Sequence, residues 1–126
     1  MKALVIKATK STPGIDFNTV ANTLLIEGES YPEDAAKFYN PILRWVRDFL
    51  DQACGVVVLE SRIVYLNTSS SKCMMSLLDL LEDAHKRGGD ICVNWYYDAE
   101  NDMALECATE FKEDLCLPFN IVEDTG

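Results

Sequence analysis

Residues 63–81 read IVYLNTSSSKCMMSLLDLL, a stretch with an apolar run, a loop of small hydroxyl residues and an amphipathic segment. The run at 63–66 predicts a strand, and the leucines and methionines after the loop recur at helical spacing. A second apolar run at 91–97 predicts another strand directly after that helix. A strand, a helix and a strand in succession imply a right-handed parallel crossover, so the expected fold class is α/β.

The rest of the chain adds strands on both sides of this unit. Apolar runs predict strands at 3–8, 15–18, 23–29, 56–59 and 119–122. The pair at 15–18 and 23–29 forms a predicted hairpin, and a turn at 60–62 would join 56–59 to 63–66 as another. The predicted order is β-β-β-α-β-β-α-β-α-β. This order implies one domain, covering 1–126, in which a mixed sheet packs against two or three helices.

Proline marks the start and the middle of the first predicted helix. Pro32 stands at its front, with acidic residues in the first turn. Pro41 would kink the helix, or restart it behind an Asn40 cap, because proline lacks the backbone N–H group. The middle helix would end at the basic and glycine residues 86–89. The last helix carries one apolar side: Ala104, Cys107, Ala108, Phe111 and Leu115.

Composition limits the possible partners. With 126 residues and 48% hydrophobic content, the chain can bury one core. No apolar stretch is long enough to span a bilayer, and the run at 3–6 is too short for a secretory signal, so we expect a cytoplasmic protein. The formal net charge of −10 disfavours nucleic acid and direct membrane insertion, because both present anionic surfaces. The expected partners are proteins.

The loop after the central strand holds an amide, hydroxyl groups and a lysine: Asn67, Thr68, Ser69, Ser70, Ser71 and Lys72. A helix start leaves backbone N–H groups unpaired, and its positive dipole end favours an anion. Two interpretations follow. A hydroxyl caps the helix, or Thr68 accepts a phosphate that brings about two negative charges to the surface. Phosphorylation of one of the serines instead stays open.

Signals for catalysis are sparse. The single histidine is His85, and the five cysteines include no CxxC pair, so neither a nucleophilic triad nor a zinc site is indicated. The alternating acids Asp98, Glu100 and Asp102 would suit magnesium, although acids also suit a helix start. A metal-dependent phosphoryl-transfer enzyme using these acids is one alternative, and a plain structural interaction module is another. Otherwise we expect no cofactor.

Four segments together resemble a known family: EGESYPE at 27–33, FYNP at 38–41, YLNTSSSK at 65–72 and WYYD at 95–98. Their order and spacing resemble those of the SiaC-type biofilm-regulation phosphoproteins, and the resemblance extends from residue 11 to residue 119. Asp34 and Leu66 depart from the family pattern, in which asparagine and phenylalanine are expected.

The resemblance implies a fold similar to STAS-type anti-sigma-factor antagonists and a non-enzymatic function. The unphosphorylated form would bind and activate a diguanylate cyclase of SiaD type, which raises cyclic di-GMP and promotes aggregation or biofilm growth. A kinase of SiaB type would phosphorylate Thr68, and a membrane-linked serine/threonine phosphatase of SiaA type would reverse the reaction. The identity of the cyclase and the formation of a homodimer stay open.

The sequence and the resemblance lead to the same hypothesis about the hydroxyl loop. Thr68 would lie on a docking patch with Tyr31, Pro32, Glu33 and Tyr65. A phosphate there would block the cyclase, because a dianion would have to lose its water on binding. A Thr68 sealed inside the folded protein would contradict this hypothesis.

Overall fold

The computed structural model describes residues 1–124 and contains one six-stranded sheet with the strands side by side in chain order. The strands are β1 (Leu4–Ile6), β2 (Gly14–Asn18), β3 (Thr23–Ser30), β4 (Val57–Leu66), β5 (Ile91–Asp98) and β6 (Phe119–Asp124). The first three strands pair antiparallel, and β3 to β6 pair parallel. The helices are α1 (Ala35–Gln52), α2 (Thr68–Lys86) and α3 (Asp102–Glu113). The predicted mixed α/β architecture is confirmed.

The covered side of the sheet is marked by a lateral row of core side chains, one from each of β2 to β5: Phe17, Leu24, Leu59 and Val93. Trp45 of α1 packs on Phe17, with ring centroids 5.5 Å apart. Trp95, two positions after Val93, packs on Phe111 of α3 at 5.3 Å. Because residues two apart in a strand share a face, α1 and α3 cover the same side of the sheet, and α2 packs against α1.

The opposite side of the sheet carries polar side chains that bind one another. Asn94 Nδ2 donates to Glu60 Oε1 at 3.4 Å, and Asn120 Nδ2 donates to Asn94 Oδ1 at 2.9 Å. The Arg62 guanidinium lies 4.1 Å from the ring centroid of Tyr96. Antiparallel and mixed sheets tolerate such a polar side when the other side is packed on a core.

The hairpin predicted at 56–66 is wrong, because β4 is one continuous strand. Glu60 and Arg62 lie on the polar side of the sheet, while Ser61 between them is fully buried on the covered side. Their cross-strand partners in β3 and β5 are distant in sequence. The polar triplet resembles a turn in the sequence, but it lacks the glycine or asparagine that two-residue hairpin turns favour.

The restart of the first helix behind an Asn40 cap is also wrong. Helix α1 continues through Pro41, and its cap is Asp34, not Asn40, with Oδ1 accepting the Lys37 N–H at 3.1 Å. Pro32 and Glu33 lie before the helix, and its first turn contains no acid. An interior proline costs roughly 3 kcal/mol. Burial of the apolar side of α1 offsets this cost, because each buried large side chain contributes about 1.5–3 kcal/mol.

The exit of α2 follows the prediction. Arg87 caps the carboxyl end, and Gly88 follows with φ of 96°, a conformation that glycine adopts without strain. The last helix ends at Glu113, so Leu115 lies beyond it. Within residues 1–124, every helix is either too short or too polar to cross a membrane.

Candidate functional site

Helix α2 begins at the carboxyl end of β4, and its cap is an amide. Asn67 Oδ1 accepts the Ser70 N–H at 2.9 Å, and the Asn67 carbonyl accepts the Ser71 N–H at 2.9 Å. Thr68 is the first residue of the helix, and its side chain is exposed. The expectation that a hydroxyl caps this helix is therefore wrong: Asn67 performs the capping, and Thr68 is accessible from solvent.

A buried chain of hydroxyls lies under this helix start. Ser30 Oγ lies 2.8 Å from Ser70 Oγ and 2.6 Å from the Tyr39 hydroxyl, and all three residues are buried. The Ser30 carbonyl also accepts the Asn67 N–H at 2.9 Å. Burial raises the pKa of Tyr39, so its hydroxyl stays neutral at physiological pH. These bonds anchor the start of α2 to the end of β3 and to α1.

The loop hydroxyls fall into separate environments. Thr68 and Ser69 are exposed, Ser71 is half-buried, and Ser70 has no accessible surface. In the folded protein Ser70 cannot reach a kinase, so it is removed from the phosphate-accepting candidates. Lys72, one turn after Thr68, is exposed. The N–H groups at the first two helical positions have no carbonyl partner within the helix, which leaves donors beside Thr68 for an anion.

Two aromatic residues meet near this helix start. The ring centroids of Tyr31 and Tyr65 lie 6.2 Å apart, and Tyr65 is 46% exposed. Pro32 is half-buried and Glu33 is exposed in the connection between Tyr31 and α1. The structure thus brings together the ends of β3 and β4, which carry Tyr31, Tyr65 and the segment leading to Thr68.

A β-bulge beside the site was missed at the sequence level. Gly28 pairs with Ile63 but Glu29 pairs with Tyr65, so Val64 is an extra residue in β4. The bulge breaks the alternation of side chains, and both Val64 and Tyr65 become exposed. Gly28 has φ of 112°, a conformation that disfavours other residues. The glycine was the available signal for the bulge.

An apolar cleft between β4 and α3 was also missed. Its volume is about 110 Å³, and its lining consists of Ile63, Val64, Tyr65, Leu66, Trp95, Met103, Ala104 and Cys107. Met103 is 73% exposed at the start of α3. We call this feature the β4–α3 cleft. Cysteine and methionine at helical spacing were visible in the sequence, but their position against β4 depends on the crossover.

The acidic residues proposed as a magnesium site instead organise the start of α3. Asp98 Oδ1 accepts the Glu100 N–H at 2.8 Å. Asn101 caps α3, with Oδ1 accepting the Ala104 N–H at 3.0 Å and Nδ2 donating to the Val64 carbonyl at 3.1 Å. In the described part of the chain, no three acidic, histidine or cysteine side chains converge as metal ligands. Nothing in this geometry favours the phosphoryl-transfer enzyme based on Asp98, Glu100 and Asp102.

The other end of α2 is held by a buried carboxylate. The Glu82 oxygens accept the Cys116 N–H at 2.7 Å and the Leu117 N–H at 2.9 Å, and the residue is 5% exposed. Burial alone would raise the pKa of Glu82. The two backbone donors and the nearby Lys86 outweigh this effect and lower it, so the buried group is ionised at neutral pH.

Comparisons with known proteins give one consistent result. Residues 6–124 match the family described as SiaC family regulatory phosphoprotein. An uncharacterised protein of Pseudomonas aeruginosa strain UCBPP-PA14 is 42% identical over 121 residues, or 96% of each chain. The crystal structure of apo-SiaC from Pseudomonas aeruginosa is 42% identical with a TM-score of 0.92, over 97% of this chain and 99% of that one. A chain in the crystal structure of the diguanylate cyclase SiaD in complex with its activator SiaC, from the same organism, is 41% identical with a TM-score of 0.92, over 96% of this chain and 99% of that one.

Proposed function

Because this chain belongs to the SiaC family of regulatory phosphoproteins, we propose that it is a non-enzymatic phosphorylation switch for a diguanylate cyclase. The unmodified protein binds and activates the cyclase in the cytoplasm, and phosphorylation of Thr68 prevents that binding. A kinase of SiaB type adds the phosphate, and a phosphatase of SiaA type removes it. The observation that carries the proposal is the exposed Thr68 at the start of α2.

The surroundings of Thr68 suit reversible modification. The buried hydroxyl chain below α2 holds the helix start in place, while Thr68 is exposed to solvent. A phosphate there meets the positive end of the helix dipole and the N–H groups of the first turn. Lys72 lies on the same helix within reach of an added charge. Phosphorylation therefore leaves the fold intact and changes the surface.

The charge of the phosphate explains why the phosphorylated form would not bind the cyclase. An unmodified Thr68, three residues after Tyr65 in the chain, offers the cyclase a neutral contact, and the Tyr31–Tyr65 pair adds apolar surface at the strand ends. A phosphate brings about two negative charges to a chain whose formal net charge is already −10. Burying that dianion without a basic partner costs several kcal/mol. A loss of roughly 3–4 kcal/mol weakens a complex by more than a hundredfold.

The similarity to SiaC bound to SiaD supports a cyclase as the partner. The test is mass spectrometry of the protein isolated from its own cells, combined with pull-down of the cyclase by Thr68→Ala, Thr68→Asp and Ser69→Ala variants. We expect a phosphate on Thr68, capture of the cyclase by the Ala variants at both positions, and loss of capture by Thr68→Asp. A phosphate found only on Ser69 or Ser71, or full capture by Thr68→Asp, would contradict the proposal.

A further inference from the structure

We infer that the buried hydroxyl chain of Ser30, Ser70 and Tyr39 determines which residue of the loop accepts the phosphate. The chain fixes the rotation of the first turn of α2, so that Thr68 is presented to a kinase and the three serines after it are not. Ser30 and Tyr39 are therefore positioning residues for the phosphoryl transfer. This inference rests on the proposed function and adds the device that selects the acceptor.

The loop offers a kinase four adjacent hydroxyls of nearly equal chemistry, at positions 68–71. In the transfer, a bond forms between one hydroxyl oxygen and the γ-phosphorus of a nucleoside triphosphate. The bond from that phosphorus to the diphosphate leaving group breaks, and the hydroxyl proton goes to a base of the kinase. The rate of this reaction depends on positioning, because the attacking and leaving oxygens must lie roughly in line. The hydroxyl that is held in that line is the one that reacts.

The hydroxyl chain has a fixed direction. Ser30 Oγ donates to Ser70 Oγ at 2.8 Å, and a serine hydroxyl carries one proton, so the Tyr39 hydroxyl is the donor in its 2.6 Å contact with Ser30. All three residues are buried. Turning α2 to expose Ser70 would break this chain and leave buried hydroxyls without a partner, which is costly. The chain therefore holds the helix start in one rotation.

Helix geometry converts this buried anchor into the exposure of Thr68. Successive residues of an α-helix are turned by about 100°, so Thr68 lies about 200° from Ser70, nearly opposite the buried side. Ser69 and Ser71 each lie about 100° from Ser70, on the flanks of the helix. Thr68 is therefore the loop hydroxyl that is turned farthest from the core. Lys72 is exposed and lies about 40° from Thr68, so a cation for the phosphate shares its side of the helix.

Ser30 also holds the residue before the helix through its backbone. Its carbonyl accepts the Asn67 N–H at 2.9 Å, and this bond does not depend on the Ser30 side chain. Substitution of Ser30 by alanine would therefore leave the helix start attached to β3 and remove only the link that fixes its rotation.

The test measures phosphorylation of the full-length chain by a purified kinase of SiaB type with ATP, and mass spectrometry locates the phosphate. In Ser30→Ala we expect kcat at Thr68 to fall roughly tenfold, KM to stay unchanged because Ser30 is not at the surface, and phosphate to appear on the serines at 69–71. Tyr39→Phe should change both quantities in the same direction and by less. The control is Ile42→Val, a buried change in α1 outside the hydroxyl chain. It should lower the melting temperature and leave kcat and the phosphorylated position unchanged.

Amide hydrogen exchange gives an independent readout. The N–H groups in the first turn of α2 should exchange faster in Ser30→Ala but not in Ile42→Val. Wild-type kcat with phosphate confined to Thr68, in both Ser30→Ala and Tyr39→Phe, would overturn the inference. So would an equal spread of phosphate over the serines in Ile42→Val, because loss of stability alone would then explain it. If the wild-type chain is not phosphorylated, or carries its phosphate elsewhere than on Thr68, the proposed function itself fails.

Discussion

The starts of α2 and α3 are built alike but carry different charges. Each helix follows one of two adjacent parallel strands, and each has an asparagine cap that accepts an N–H three residues on, at 2.9 Å and 3.0 Å. The first helical residue is exposed in both: Thr68 in α2 and Asp102 in α3. Thus α3 carries a permanent anion at the position where α2 carries a neutral hydroxyl.

This difference bears on the proposed phosphorylation switch. A negative charge at the first helical position is favourable to a helix, so Asp102 is the ordinary solution. Thr68 is neutral, so the first position of α2 lacks this stabilising charge. The third helical positions differ as well, because Ser70 joins the buried hydroxyl chain whereas Ala104 lines the β4–α3 cleft. The start of α2 is tied to β3 and α1 by buried hydrogen bonds, and the start of α3 borders an open apolar surface.

The largest effect on stability is expected at the far end of α2. Glu82→Gln should lower the free energy of unfolding by about 2–3 kcal/mol, because one of two buried N–H donors would face an amide nitrogen. Asp79→Asn, an exposed change on the same helix, should alter it by less than about 0.5 kcal/mol. Urea denaturation measures both, and equal effects would contradict the anchoring contact.

The pH dependence of that contact has a defined sign. The folded-state pKa of Glu82 lies below its unfolded value. Its stabilisation is therefore fully present above the unfolded value, about 4.3, and is lost as the pH falls through the folded value. The difference in stability between wild type and Glu82→Gln should shrink below about pH 4.

The next largest effect on stability is expected at the third residue of each helix, Ser70 in α2 and Ala104 in α3. Ser70→Ala should lower the free energy of unfolding by about 1–2 kcal/mol, because Ser30 loses a buried hydrogen-bond partner. Ala104→Ser should cost a similar amount, about 1–2 kcal/mol, since its hydroxyl would enter an apolar environment. Thermal denaturation compares the two variants. A neutral Ser70→Ala variant would show that the hydroxyl chain has no role in fixing α2.

Replacing either capping residue, Asn67 or Asn101, by alanine should lower the free energy of unfolding by about 1 kcal/mol. Substitution by aspartate should affect the two caps differently. Asn67→Asp keeps the accepting oxygen and should be nearly neutral, whereas Asn101→Asp loses the Nδ2 donor to the Val64 carbonyl. Chemical denaturation of these four variants provides the measurement. A neutral Asn101→Asp would remove the link between the start of α3 and the bulged end of β4.

The smallest expected effect lies at the first helical positions. Thr68→Asp should stabilise the fold by about 0.3–1 kcal/mol, and Asp102→Asn should destabilise it by a similar 0.3–1 kcal/mol, because of the helix dipole. A stabilised Thr68→Asp variant that no longer binds the cyclase would separate folding from signalling. A destabilised one would show that threonine has a structural role at this position.

The elements that could be predicted from the sequence are those set by local chemistry. Helical spacing located α2, and the glycine at 88 marked its exit. The parallel crossover followed from strand, helix and strand in order. Thr68 could be singled out because it lies between the central strand and α2. Its role as the phosphate acceptor stays a prediction.

The parts that escaped prediction depend on partners distant in the chain. Ser61 joins β4 because β3 and β5 pair with it on both sides, and nothing within the triplet shows this. The burial of Ser70 depends on Ser30 and Tyr39, which lie in β3 and α1. The β4–α3 cleft requires Met103 to meet the bulged end of β4. Local patterns cannot report such contacts.

The most direct measurement is the affinity of SiaD for this protein with and without a stoichiometric phosphate on Thr68, by isothermal titration calorimetry. The proposed switch predicts binding of the unmodified form and a weakening of more than roughly a hundredfold on phosphorylation, with the melting temperature preserved. Equal affinities for the two forms, with both folded, would contradict the idea that charge at the start of α2 controls partner binding.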